Sequence, residues 1–164
     1  MIAKIDSARA AGLDLQATMY PYTAGGTGLA ACLPPSASAD GKLFQNLAEP
    51  AARARIRAEV AHPTRYWESL CEQATPEGVL LAGLRSPANL QWSGHRLCEV
   101  AAAMKKDWLD AVMDLLLAEH RDIGTIYFLM SEENVTLQLK QPWMVICMAQ
   151  AKMGYTVTDL FYLF

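Results

Sequence analysis

One stretch limits the possible folds of this chain more than any other: Tyr20-Pro21-Tyr22-Thr23-Ala24-Gly25-Gly26-Thr27-Gly28-Leu29, with Leu33-Pro34-Pro35 just behind it. Leu13 to Met19 reads as a short strand, so a strand end opens into a long loop from Pro21 to Gly41. Gly25, Gly26, Gly28 and Gly41, with Pro34 and Pro35, disfavour regular structure there. Loops longer than ~12–15 residues are usually functional or disordered. A second distinctive segment lies far downstream: Met130-Ser131-Glu132-Glu133-Asn134-Val135, followed by Gln141-Pro142-Trp143.

Patterning around these segments alternates between strands and helices. Ile2 to Ala11 reads as a helix end with Ile2 and Ile5 on one face and Gly12 as its stop. Lys42 to Ala48 is helical, Pro50 opens a helix through about Ala61, and a third covers Thr64 to Gln73. Arg53, Arg55 and Arg57 read as a solvated face. Val79 to Leu84 is a strand, and Gly94 to Met104 is a helix closed by Lys105-Lys106. Asp107 caps the next helix, where Leu109, Val112, Met113, Leu116, Leu117 and His120 follow a helical period. Ile123 to Met130 is strand-like, Ser131 caps a helix with Glu132 and Glu133 in its first turn, and Trp143 to Met148 is the last strand. This order favours a mostly parallel α/β arrangement.

The chain has 164 residues, 52% of them apolar, so it is long enough to bury a core. A net charge of −3 with scattered basic residues leaves no nucleic-acid footprint. Cys32, Cys71, Cys98 and Cys147 stand far apart with no C-x-x-C pair, which predicts reduced, mostly buried thiols. No basic region leads into an apolar run at Met1, and Gln150, Lys152 and Asp159 interrupt the apolar C-terminal stretch. The expectation is a cytoplasmic, soluble protein without a membrane span. Thr23 to Gly28 lacks the Gly-Lys-Ser/Thr ending of a phosphate loop.

The Tyr-Pro-Tyr stretch and the Met-Ser-Glu-Glu-Asn-Val segment, in this order and spacing, resemble the N-acyl-D-amino-acid deacylase (D-aminoacylase) branch of the amidohydrolase superfamily, from about Met1 to Ile146. The resemblance implies a portion of a (β/α)8 TIM-like barrel with a helical lid insertion. Such a barrel takes ~250 residues, so this chain looks like a piece of one. On that template residues 1–20 are a barrel helix end and strand, and 21–77 the lid. Residues 78–146 return to the barrel, and 147–164 form a divergent apolar tail. The activity implied is hydrolysis of the amide of a small-molecule N-acyl-D-amino acid, with zinc activating water. Tyr22, and less so Tyr20, would touch substrate by resemblance; the other reading is that both pack their rings and bond a nearby backbone carbonyl. Arg85, after the strand Val79 to Leu84, is placed to clamp a carboxylate or to form a surface ion pair.

Departures from the family pattern matter equally. There is no His-x-His pair, and His62, His95 and His120 occur singly. Ala149 stands where the family places an aspartate after the last strand, and Thr18 where it often has an acidic residue. No catalytic residue and no metal ligand is therefore assigned, and a truncation with an altered frame near Cys147 would give this pattern. The expectation is a chain inactive alone. The other reading is a non-catalytic module that self-associates through open sheet edges and the tail Val157 to Phe164.

Overall fold

The computed structural model describes residues 1–62 and 66–147. The helical expectation at Thr64 and the tail beyond Cys147, with Ala149 and Val157 to Phe164, lie outside the described residues. Packing divides the chain into a central unit, Gly25–Leu129, and a flanking unit, Met1–Ala24 with Met130–Phe164. No helix among the described residues is long and apolar enough to cross a membrane.

In the flanking unit, helix α1 (Ile2–Ala10) ends where Gly12, at φ +92°, turns the chain and Leu13 N–H returns to Ala8 O at 3.1 Å. A left-handed turn of this kind favours glycine because it has no Cβ. The turn occupies Leu13, so strand β1 is Ala17–Met19 and not the longer Leu13–Met19 expected. It pairs in parallel with β5 (Met144–Ile146), Ala17 opposite Met144 and Met19 opposite Ile146. Helix α7 (Glu132–Leu139) precedes β5, and the Ser131 hydroxyl caps it by accepting from Asn134 N–H at 3.2 Å.

In the central unit, a three-stranded sheet has the order β2-β4-β3, with β2 at Ala24–Gly28, β3 at Val79–Leu81 and β4 at Gly124–Phe128. The pair β3–β4 is antiparallel, Val79 opposite Tyr127, against the mostly parallel expectation, whereas β1 and β5 pair in parallel. The expected loop from Pro21 to Gly41 contains strand β2 and short 3-10 turns at Leu29–Cys32 and Pro35–Gly41. Pairing at a sheet edge overrides the poor strand propensity of its glycines. Gly28 is needed there, because a Cβ would run into the Asp122 carboxylate. That carboxylate accepts from Ala30 N–H at 3.0 Å and Ile123 N–H at 2.9 Å.

Helices α2 (Leu43–Ala48), α3 (Pro50–Ala61), α4 (Leu70–Ala74), α5 (Leu97–Met104) and α6 (Trp108–Glu119) complete the central unit. Helix α5 starts at Leu97 and not Gly94, because Gly94 N–H and His95 O are committed to Leu81 of β3. Arg53 departs from the solvated-face expectation, being half-buried and meeting Asp114 at 2.5 Å; Arg57 is exposed as expected, though it meets Asp107 at 2.9 Å and Asp110 at 2.8 Å. Arg55 is exposed as well. Burial raises the Asp114 pKa, but Lys106 and Arg53 outweigh it and hold the carboxyl below its usual range.

The cysteine expectation is half overturned. Cys32 and Cys71 are fully buried, but they form a disulfide across 39 residues of sequence. Folding brings their Cα atoms to 4.9 Å, a proximity that widely spaced cysteines do not announce. Cys98 and Cys147 are free thiols.

Candidate functional site

Parallel pairing sends the carboxyl ends of β1 and β5 to the same edge of their sheet. Met19 O accepts from Cys147 N–H at 3.0 Å, and Ala17 N–H donates to Trp143 O at 3.1 Å. Tyr20, Pro21 and Tyr22 follow β1 directly at this edge, Tyr20 42% exposed and Tyr22 half-buried. Helix α1 contributes a brace, since Asp6 accepts from the buried Trp143 indole at 2.7 Å. Tyr20 and Tyr22 thus leave β1 where Cys147 leaves β5, and Met130 N–H, one residue before the Ser131 cap of α7, donates to Thr23 O at 3.1 Å.

Arg85 belongs to the central unit, whereas Tyr20 and Tyr22 belong to the flanking one. It is exposed, and its backbone N–H, not its guanidinium, makes the local contact, donating to Glu119 at 2.9 Å. The same carboxylate accepts from Ser86 N–H at 3.1 Å, the Ser86 hydroxyl at 2.6 Å and the Asn89 amide at 2.9 Å. Burial pushes Glu119 upward, but the Ser86 and Asn89 side chains and these backbone donors bring its pKa down to about 2. Sequence reading missed this cradle. Its only signal was a hydroxyl and an amide within Ser86-Pro87-Ala88-Asn89, a common turn composition.

The three histidines have separate neighbours. The His120 ring stacks on Phe44 with centroids 4.5 Å apart. His95 Nδ1 lies 3.4 Å from Glu99 and its ring is edge-on to Trp92. His62 follows α3. Among the described residues, no three His, Cys, Asp or Glu side chains are grouped to hold a metal ion. A catalytic zinc site takes about three convergent protein ligands, so these residues do not fit one.

A buried tyrosine lies between the central sheet and the disulfide. Tyr127 donates to Gly28 O at 2.9 Å and its hydroxyl stands 3.4 Å from Cys32 Sγ. Burial, aided by the nearby Asp122 charge, raises its pKa far above the ordinary phenol value. It is a structural phenol and not a proton carrier near neutral pH.

No protein-family model matches this sequence, and no curated protein matches it. Among solved structures, it is similar to the N-acyl-D-glutamate deacylase of Bordetella bronchiseptica, complexed with zinc and a phosphonate mimic of the tetrahedral intermediate. The TM-score is 0.50 at 21% identity, over 88% of this chain and 21% of that one. It is also similar to D-aminoacylase, described as defining a novel subset of amidohydrolases, with a TM-score of 0.46 at 22% identity over 87% of this chain and 20% of that one. The chain therefore spans about a fifth of the length of the deacylases it matches. In fold the chain is similar to part of the N-acyl-D-glutamate deacylase, a member of the family that its sequence motifs resemble.

Proposed function

We propose that this chain is a segment of a metal-dependent amidohydrolase acting on N-acyl-D-amino acids, and that it does not hydrolyse them alone. The observation that carries the reading is the parallel β1–β5 pair ending at Tyr20-Pro21-Tyr22, within a fold shared with part of the N-acyl-D-glutamate deacylase. Carboxyl ends of parallel barrel strands are where such enzymes keep their chemistry. In this reading β1 and β5 are neighbouring strands of an incomplete (β/α)8 barrel. The helical lid begins in the segment 21–77, and the compactness of Gly25–Leu129 supports an insertion that continues toward Leu129. Tyr22, then Tyr20, would donate a phenol hydrogen bond to the substrate, and Arg85, in the other unit, is a separate candidate for pairing a carboxylate. Zinc belongs to the complete enzyme, and no step through it is assigned to these residues. A buried disulfide suits an oxidising compartment and argues against the cytoplasmic placement that the sequence favours.

Calorimetric zinc titration together with a hydrolysis assay on N-acetyl-D-glutamate tests this. The expected result is neither stoichiometric zinc binding nor turnover. Tight binding of one zinc with turnover would refute the ligand count. A second reading, a self-associating module, has its own support: Leu13, Leu137, Val145 and Ile146 are 58%, 52%, 43% and 57% exposed, and among the described residues β1 and β5 pair only with each other. Size-exclusion chromatography across a concentration series decides it, since a monomer throughout would remove that reading.

A further inference from the structure

We propose that the turn Arg85–Asn89 is a preformed carboxylate-binding site with Glu119 as its tethered ligand, and that it accepts a free small carboxylate when that side chain is cut back. The donors divide between the two oxygens of the carboxylate. Arg85 N–H and Ser86 N–H reach Oε2 at 2.9 and 3.1 Å, and the Ser86 hydroxyl and Asn89 amide reach Oε1 at 2.6 and 2.9 Å. Ser86 N–H also lies 3.2 Å from Oε1. Such a set fits a planar group with two acceptor oxygens, and a spherical halide cannot meet both halves at once.

The turn closes on itself without Glu119. Ser86 O accepts from Asn89 N–H at 2.9 Å and Leu90 N–H at 3.0 Å, and Asn89 O accepts from Trp92 N–H at 2.9 Å. Just upstream, Ala82 and Gly83 N–H donate to Gly124 O of β4 at 2.9 and 2.8 Å. Pro87 restricts the turn further by fixing its own φ. The donors are therefore aimed before a carboxylate arrives, and little ordering entropy is left to lose on binding. Glu119 also sits where an anion is otherwise disfavoured, as the last residue of α6 at the negative end of the helix dipole. The turn outweighs that repulsion and the burial, since the carboxyl stays ionised well into acid. Ser86, Asn89 and Glu119 are half-buried and not enclosed, so a small ion from solvent can reach the donors. This inference is independent of the deacylase reading and needs no activity.

The test is amide NMR on the full chain carrying Glu119→Ala, titrated with sodium acetate against sodium chloride at equal ionic strength. The Arg85 and Ser86 amide signals should shift saturably with acetate and not with chloride, and wild type, whose site is filled, should show no such shift. At roughly ten times the dissociation constant, acetate should raise the variant's Tm by about 3 °C more than that of wild type. Adding Ser86→Ala should weaken acetate binding on the order of 10-fold. Without acetate, the Asn89 and Leu90 amides should stay protected from hydrogen exchange, because their bonds to Ser86 O do not pass through Glu119. No saturable shift, equal shifts with acetate and chloride, or the same shift in wild type would overturn the proposal. So would loss of protection at Asn89 and Leu90, or acetate binding indifferent to Ser86→Ala. A Glu119→Ala chain that fails to fold even in acetate would overturn it too, because a preformed site does not depend on its ligand for its shape.

Discussion

The central and flanking units solve the burial problem differently. The continuous apolar core, from Leu29 through Tyr127, lies entirely within Gly25–Leu129. Among the described residues of the flanking unit only Met19, Val135 and Trp143 are buried, while Leu13, Leu15, Leu137, Leu139, Val145 and Ile146 are exposed. The contrast follows from architecture. The central sheet has helices α5 and α6 and an antiparallel pair to close around, whereas parallel strands are ordinarily covered on both faces. A pair of three-residue parallel strands is below what stands alone in water. The central unit has the means to stabilise itself; the described residues of the flanking unit leave apolar side chains uncovered.

The sharpest way to break this comparison is to cut the same side chain in both units. Leu116→Ala, at a fully buried position, should cost about 2–5 kcal/mol by urea unfolding. If it costs no more than a surface substitution, the core does not reside where the packing places it. Next is Gly83→Ala. Gly83 N–H donates to Gly124 O at 2.8 Å, and a Cβ would lie 2.8 Å from Gly124 Cα, backbone against backbone. The expected loss is about 1–3 kcal/mol, and a neutral result in thermal unfolding would show that the β3 end yields.

Glu119→Gln is smaller and depends on pH. A folded pKa of about 2, below the ordinary carboxylate value, means that Glu119 contributes stability above pH ~4.3. That contribution is lost as pH falls toward the folded value. Because the carboxylate is only part-buried and water screens it, about 1 kcal/mol at neutral pH is expected. The difference between wild type and variant should shrink below pH 4 in unfolding titrations, and a constant gap across pH would exclude the cradle as its source. Least costly is Leu137→Ser, which should change stability by less than about 0.5 kcal/mol. It should nevertheless reduce any concentration-dependent association measured by sedimentation, which separates a covered face from an idle one.

Helix α6 shows how far patterning reaches. Asp107 caps it as expected, accepting from Asp110 N–H at 2.9 Å, and Leu109, Val112, Met113 and Leu116 are buried. Ala111 and Leu115 are buried too, while His120 leaves the helix in a left-handed turn and lies exposed. A single stripe was legible; the wider face exists because α6 packs against α5, α2 and the Leu29–Cys32 turn at once. The candidate site was legible in a similar measure. The strand ahead of Tyr20-Pro21-Tyr22 was readable from its apolar run and the proline after it. Glu119 was not, because its partners lie 30 to 34 residues away.

Local chemistry in the sequence, namely caps, prolines and helical periods, determined where α3, α6 and α7 begin, since each signal acts within a few residues of itself. Pairing direction, the Arg53 and Arg57 ion pairs, the carboxylate cradle and the Cys32–Cys71 bond were decided only by the tertiary structure. Each joins groups far apart in the chain, and their meeting depends on which apolar faces close over one another first. The same dependence leaves one unit enclosed and the other open.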